Sequence, residues 1–296
     1  MFARILFPTG FDEFAFATLK SLACLKRGGL RDVVLLHVID TEGLSAVRES
    51  GLPVDTDKLE SAAKKELAVY EQYLQSEGIG VKSVIGTGPL VATILETAAR
   101  ESVSLIIAGR QKRDVLGEIF VGSTTDRIIR KSGLPVLVAK YHVLTESNGT
   151  VTEQFCSDLF RKILYPTDWS ACADRAKQAI PLLRNAGASE VIVAHVMEEL
   201  PPDAEIPSHF MEKRLRDKNL EDLDALRQEF ERAGFTVSVR LVSGRPFREI
   251  NRIATESEVS LIVMGSHGRG LVDGLFWGSV SQRVVEYSEK PVLVVK

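Results

Sequence analysis

Residues 163–168 read ILYPTD, and residues 5–10 read ILFPTG, 158 positions earlier. The same offset of 158 carries VVLLHV at 33–38 onto VIVAHV at 191–196. Farther out the offset becomes 156. SLIIAG at 104–109 matches SLIVMG at 260–265, FVGS at 120–123 matches FWGS at 276–279, and PVLVAK at 135–140 matches PVLVVK at 291–296. Five matches in one order and near one register are the mark of an internal repeat. The chain is therefore a duplicated domain with copies at 1–140 and 160–296, and its 296 residues suit two domains of ordinary size. The first copy has two extra residues between its HV and SLI segments. Residues 141–159 read as a linker, polar from 145 to 153 with a Ser-Asn-Gly turn signal. The stretch 156–160 is open between a short helical turn and apolar docking on a domain.

Each copy alternates strand and helix signals. In the second, KILYP (162–166) and EVIVAHVM (190–197) are short apolar, β-branched runs, the pattern of strands covered on both faces. TVSVRLVSG (236–244) alternates more, and SLIVMG and PVLVVK make five strands. Between them the spacing predicts helices over 171–186, stopping at Gly187, over 210–233 with Leu215, Leu220, Leu223, Leu226 and Phe230 along one side, over 247–258, and over 279–289. This is the signature of βαβ units. The fold class is α/β: two tandem copies of a five-stranded parallel sheet with helices on both faces. Ligands of such sheets bind at the carboxyl ends of the strands, where the strand order reverses.

Composition narrows the function. Net charge is −3 with 45% hydrophobic and 26% charged residues, and the pI is about 6.0. That balance lacks the basic excess which nucleic acid or an anionic membrane surface would call for. No apolar run approaches the roughly 20 residues of a membrane span. The opening MFARILFPTGFDEF lacks a signal-peptide plan, so a cytoplasmic location is expected. Cys24, Cys156 and Cys172 are scattered without metal-ligand spacing, which suits a reducing compartment.

The carboxyl end of SLIVMG runs straight into MGSHGRGLVDGLFWGSVSQRVV (264–285), with five glycines in the fourteen positions from Gly265 to Gly278. Two residues separate Gly265 from Gly268 and nine separate Gly268 from Gly278, after which Ser279 begins a helical pattern. Glycine permits positive φ and close backbone approach, and a helix start offers free N–H groups to an anion. With the Ser279 and Ser281 hydroxyls these describe a phosphate cradle without a lysine. A tight structural turn, with Ser279 and Gln282 forming a capping box, explains the same letters. A Walker P-loop is excluded because no lysine precedes Ser279, and a Rossmann fingerprint because the first strand ends in Pro166-Thr167-Asp168 and Gly268-Arg-Gly270 leads to Asp273. Asp168 reads either as an acceptor for ribose hydroxyls or an adenine amino group, or as a helix N-cap or Asx turn. Val196 reads as an apolar wall for a base or as core. Arg269 reads as a phosphate partner or a solvated loop residue. His267 has no nucleophile or acid beside it in sequence, which speaks against catalysis. His37 and His195 end the second strands and read as hydrogen-bonded sheet histidines.

The pattern G-x-x-G-x(9)-G-S followed by a helix and PVLVVK, with the ILxPTD opening and the HV strand end, resembles the universal stress protein family. The likeness covers the whole second copy and the layout of the first. It implies the adenine nucleotide alpha hydrolase-like fold of that family and, for many members, bound ATP or AMP, with or without Mg²⁺. It places adenine and ribose near Pro166, Thr167, Asp168 and Val196, ribose also against Met264 and Gly265, and phosphates on Gly268, Arg269, Gly278, Ser279, Val280 and Ser281. Carried onto the first copy it gives a weaker second site at Pro8, Thr9, Val38, Gly109, Gly122, Ser123 and Thr125. There Gly10 stands where the second copy has Asp168, and Lys112 where it has Gly268, with Arg110 and Arg113 nearby. The first copy is expected to bind adenine nucleotide weakly or not at all. The apolar terminal strands are expected to pair the two copies within one chain, with a homodimer of chains left open. The leading function is a nucleotide-responsive binding module in which the helix over 210–234 and the loop 201–210 move. Slow ATP hydrolysis or adenylyl transfer assisted by Asp273, and a ligand-free dimerisation scaffold, are the alternatives.

Overall fold

The computed structural model describes residues 2–11, 15–49, 53, 55–109, 122–139, 159–198, 209–268 and 277–296. The chain divides into two compact units, Met1–Cys156 and Ser157–Lys296. In the first, strands β1 (Arg4–Pro8), β2 (Asp32–Asp40), β3 (Gly80–Gly88), β4 (Leu105–Ala108) and β5 (Val136–Val138) pair in parallel in the order β3-β2-β1-β4-β5. In the second, β6 (Lys162–Pro166), β7 (Glu190–Glu198), β8 (Thr236–Gly244), β9 (Leu261–Gly265) and β10 (Val292–Val295) repeat that order as β8-β7-β6-β9-β10, again all parallel. The order reverses beside β1 and β6, which have the second strand of their copy on one side and the fourth on the other.

Helices cross over between the strands. The first unit has α1 (Ala15–Leu22), α2 (Thr41–Glu49), α3 (Thr56–Ser76), α4 (Leu90–Arg100) and α5 (Ser123–Lys131); the second has α6 (Ala171–Ala179), α7 (His209–Arg232), α8 (Pro246–Glu256) and α9 (Ser279–Tyr287). Every residue of β4, β9 and β10 is buried, so consecutive side chains on opposite faces are both covered. Alternation is looser in β8, which has a neighbour on one side only. Among the described residues no helix is long and apolar enough to cross a membrane.

Three details depart from the sequence expectations. The helix expected over 171–186 breaks at Ala179, because Pro181 has no N–H for the ladder; residues Pro181–Ala186 tighten into a 3₁₀ turn, and Gly187 closes it at φ 107°. Along α7, Leu223, Leu226 and Phe230 are buried, whereas Leu215 and Leu220 are 56% and 44% exposed, so the apolar face holds only over the second half of the helix. The linker expectation for 141–158 lies outside the described residues, but Leu159 and Phe160 are buried in the second unit, which favours docking.

Candidate functional site

The second copy's reversal point is built from the end of β6. Tyr165 is fully buried, and its hydroxyl donates to the Ala173 carbonyl at 2.9 Å, fixing the first turn of α6 above the strand end. Thr167 N–H continues the ladder to the Ala194 carbonyl at 2.9 Å. Its own carbonyl accepts from His195 Nδ1 at 2.8 Å, so Nδ1 carries the proton. Its hydroxyl accepts from Trp169 N–H at 3.1 Å. Trp169 takes φ 64°, a left-handed conformation rare for a bulky residue, and its ring lies 5.2 Å from that of His195.

Asp168 sits inside this turn. Its Oδ1 accepts from Ser170 N–H at 3.1 Å, which makes the Asx turn. The helix cap itself is Ser170, whose hydroxyl oxygen accepts from Ala173 N–H at 3.1 Å, and the N-cap reading of Asp168 is corrected accordingly. The other carboxylate oxygen lies against Gly268: a Cβ built on that glycine would stand 2.3 Å from Asp168 Oδ2. Two residues a hundred positions apart thus meet at one point, and any side chain at 268 would require the Asp168 carboxylate to shift.

The remaining glycines have separate reasons. A Cβ on Gly265 would press the Cys172 backbone at 2.8 Å, and one on Gly278 would stand 3.0 Å from His267 Cα. None of Gly265, Gly268 and Gly278 takes a positive φ, so what favours glycine at these positions is close approach, to backbone at Gly265 and Gly278 and to the Asp168 carboxylate at Gly268. Gly278 N–H donates to the Ser266 carbonyl at 2.9 Å, folding the helix start back on the strand end.

The capping box is not formed. The N-cap of α9 is Gly278, with no side-chain cap, and Ser279 is the first helical residue. The backbone N–H groups of Ser279, Val280 and Ser281 therefore stand at a helix start without a capping side chain. The Ser281 hydroxyl is not a free donor either. It is buried and gives its proton to the Gly265 carbonyl at 2.9 Å, so a phosphate role for Ser281 passes to its backbone N–H. His267 Nδ1 lies 3.1 Å from Ser266 Oγ. Met264 is buried at the end of β9, while Val196 is half-buried at the end of β7 and offers part of its side chain to the corner.

Two buried donors near this corner lack partners. The indole Nε1 groups of Trp169 and Trp277 have no hydrogen-bond partner among the described residues. They are the only tryptophans of the chain, and each directly follows or precedes a motif residue, Asp168 or Gly278. An unsatisfied buried N–H calls for an acceptor. Sequence reasoning named neither; the signal it had was their replacement in the first copy by Phe11 and Val121.

The first copy repeats the scaffold. Thr125 donates to the Gly109 carbonyl at 2.9 Å as Ser281 does to Gly265, and α5 starts at Gly122 without a side-chain cap. Pro8 and Thr9 end β1, and Val38 is buried at the end of β2. A Cβ on Gly10 or Gly109 would meet nothing within 4 Å. Arg269 and Asp273 in the second copy, Arg110, Lys112 and Arg113 in the first, and the loop 201–208 lie outside the described residues. Among the described residues no group of three or more His, Cys, Asp or Glu is placed to hold a metal ion.

Comparison with known proteins bears on both halves. The family model described as the universal stress protein family matches residues 1–140 and 159–296. A universal stress protein of Methanocaldococcus jannaschii is 33% identical over 157 residues, covering 47% of this chain and 97% of that protein. The crystal structure of a universal stress protein from Archaeoglobus fulgidus superposes with a TM-score of 0.74 at 24% identity, covering 99% of this chain and 96% of that one, which establishes the shared fold. A universal stress protein solved in complex with cAMP is more distant, at 21% identity and a TM-score of 0.35 over 46% of this chain and 96% of that one.

Proposed function

Because the chain belongs to the universal stress protein family along both of its halves, we propose that it is an adenine-nucleotide-binding module whose site lies in the second copy. The observation that carries this reading is the pairing of an uncapped helix start at Gly278 with Gly268, held bare against Asp168. A helix start attracts anions through its free N–H groups and partial positive charge. Gly268, Gly278, Ser279, Val280 and Ser281 would hold the phosphates of ATP or AMP through their backbone, with Arg269 as a further phosphate partner. In this reading Asp168, whose Oδ1 accepts from Ser170 N–H, presents its carboxylate to ribose hydroxyls or the adenine amino group. Pro166, Thr167 and Val196 would frame the base, and Met264 and Gly265 the ribose. The orphaned indole N–H groups of Trp169 and Trp277 add two donors for ligand oxygens or nitrogens. Where Mg²⁺ accompanies ATP, it would ride on the polyphosphate. The first copy, with Gly10 in place of the carboxylate, is in this reading a partner domain, its counterpart residues from Pro8 to Thr125 serving the fold.

The two tryptophans make the test direct. Titrating the full chain with ATP and with AMP should change the intrinsic tryptophan fluorescence along a saturable curve, and calorimetry should give one nucleotide per chain. Absence of both heat and fluorescence change would sink the proposal. A stoichiometry of two would restore a site to the first copy.

A further inference from the structure

The amino ends of the two sheets, opposite the proposed nucleotide corner, differ in how their charges are arranged. In the first copy a carboxylate closes that end. Glu101 follows α4, with its side chain only 7% exposed. Lys82 Nζ donates to its two oxygens at 2.8 and 2.9 Å, Arg4 Nη2 to Oε2 at 2.8 Å, and Arg4 Nε to its backbone carbonyl at 2.8 Å.

The sheet register identifies the counterparts. Arg4 pairs with Asp32 as Lys162 pairs with Glu190, and Lys82 pairs with Val34 as Ser238 pairs with Ile192. Ser102 and Glu258, both at φ 50°, close α4 and α8 in the same way, so Glu101 corresponds to Ser257. The second copy therefore keeps one cation and replaces the carboxylate and the second cation with hydroxyls. The space has not closed up. A cavity of about 280 Å³ remains, lined among others by Lys162, Glu190, Ser238, Arg240, Glu256 and Ser257.

The charges around it are unequally engaged. Glu256 accepts from Arg252 at 2.7 Å, and Glu190 accepts from Arg161 at 3.2 Å. Lys162 Nζ lies 3.7 Å from Glu190, close enough for an ion pair but too long for a hydrogen bond. Arg240 donates to the Val239 carbonyl at 3.2 Å and has no carboxylate partner among the described residues. Neither the Ser238 nor the Ser257 hydroxyl has a protein partner among those residues. Two hydroxyls and two cations, with two carboxylates that are each held by an arginine, thus line a space from which, relative to the first copy, a carboxylate has been removed.

We propose that this cavity is a second small-molecule site, for a short-chain carboxylate. The ligand's carboxylate lies where Glu101 puts its own, with Lys162, Ser238, Ser257 and Arg240 as donors, and its short chain runs along Ile192, which shares the face of its register partner Ser238 and also lines the cavity. At about 30 Å³ per water the cavity has room for such an acid with some accompanying water. The proposal is independent of the nucleotide reading, because the two sites lie at opposite ends of the strands.

The test uses the full chain and propionate, the acid that matches the side chain of a glutamate. Ligand-observed NMR and the shift in Tm are followed at constant ionic strength, with propionamide as the neutral control. Propionate should give saturable binding, and propionamide should bind at least tenfold more weakly. The variant Ser238→Lys with Ser257→Glu, which rebuilds the first copy's closure, should lose propionate binding tenfold or more while nucleotide titrations stay unchanged. Should the double variant misfold, Ser257→Glu alone supplies the tethered carboxylate and must produce the same loss. Equal response to propionate and propionamide, no saturation, or undiminished binding in the closed variants would overturn the proposal.

Discussion

At the carboxyl end of the first strand the two copies build the same corner around different chemistry. In the first, Phe11 takes φ 60°, its N–H donates to Thr9 Oγ1 at 3.0 Å, and its ring stacks on His37 at 4.6 Å. In the second, Trp169 takes φ 64° with the same bond to Thr167 at 3.1 Å and the same histidine beneath it. A left-handed aromatic costs roughly 1–2 kcal/mol. Two copies that have diverged in sequence both retain it, so the threonine, the histidine and the aromatic ring belong to the fold. What stands between threonine and aromatic does not: Gly10 in one copy, Asp168 in the other. The partner position changes with it. A Cβ on Gly268 would have to displace the Asp168 carboxylate, whereas a Cβ on Gly10 would meet nothing within 4 Å, and the first copy has Lys112 at the position that matches Gly268 in sequence. Physically the two differences are one. Where the carboxylate is absent, so is the group that a side chain at the glycine position would have to displace.

The largest effect should come from breaking that contact. Gly268→Val forces a branched side chain onto the Asp168 carboxylate and into the proposed phosphate space. ATP affinity should fall about 100-fold, equivalent to about 2.7 kcal/mol, by calorimetry. Tm should fall modestly, since the new Cβ must displace the Asp168 carboxylate and Gly268 is half-buried. A double-mutant cycle sharpens the point. Gly268→Lys alone should destabilise the fold more than it does on an Asp168→Gly background, with a coupling on the order of 1 kcal/mol. Strict additivity would mean that the two positions are independent and that the first copy lost its carboxylate for another reason.

Much of this was legible before any coordinates. The duplication, the five strands of each copy and the reversal point follow from short motifs repeated at a fixed offset, because buried parallel strands write themselves as unbroken apolar runs. The glycine spacing pointed to one corner, and the structure does bring Asp168, Gly268 and Gly278 together there. What the letters hid were choices between near-equivalent hydrogen bonds. Asp168 and Ser170 are both good caps two residues apart, and only the turn geometry decides that serine caps while aspartate closes the Asx turn. The unpaired indoles were equally invisible, since a missing partner is a property of three-dimensional space. The exposure of Leu215 and Leu220 was missed because an apolar period marks a face of a helix and not how much of that face is covered.

A middle-sized effect probes what the copies share. Ser281 and Thr125 tie the start of α9 and α5 to the carbonyls of Gly265 and Gly109, both at 2.9 Å. Ser281→Ala should lower stability by about 1 kcal/mol, the net worth of one such bond plus the carbonyl left buried, and Thr125→Ala should behave alike. Thermal unfolding measures both. Nucleotide affinity should stay within about twofold for either variant, because the proposed site draws on the backbone N–H of Ser281, while its hydroxyl is committed to the Gly265 carbonyl. A tenfold loss in Ser281→Ala alone would mean that the hydroxyl turns to the phosphate when ligand arrives, and that the shared tie is rearranged in one copy only.

The smallest effect separates the amino ends and appears only in acid. Lys82 and, less strongly, Arg4 hold the Glu101 carboxyl below its usual range of about 4.5, against the opposing pull of desolvation. A carboxylate with a lowered folded-state pKa binds fewer protons than its unfolded counterpart in the interval between the two values. Its stabilisation is therefore complete above the unfolded value, shrinks as pH falls through that interval, and is gone below the folded value. Glu101→Gln removes this pH-dependent part while keeping the shape and a hydrogen-bonding side chain. Tm of the wild type should exceed that of the variant by a constant margin above about pH 5, and the margin should narrow as pH drops further. The second copy has Ser257 at the matching place and contributes no such titration. Ser257→Gln, which adds an amide where the first copy has its carboxylate, should therefore shift Tm by the same amount at every pH. A Glu101→Gln margin that stays flat into strong acid would show that the Lys82 and Arg4 contacts do not favour the ionised form, and the contrast between an internally closed amino end and an open one would lose its electrostatic basis.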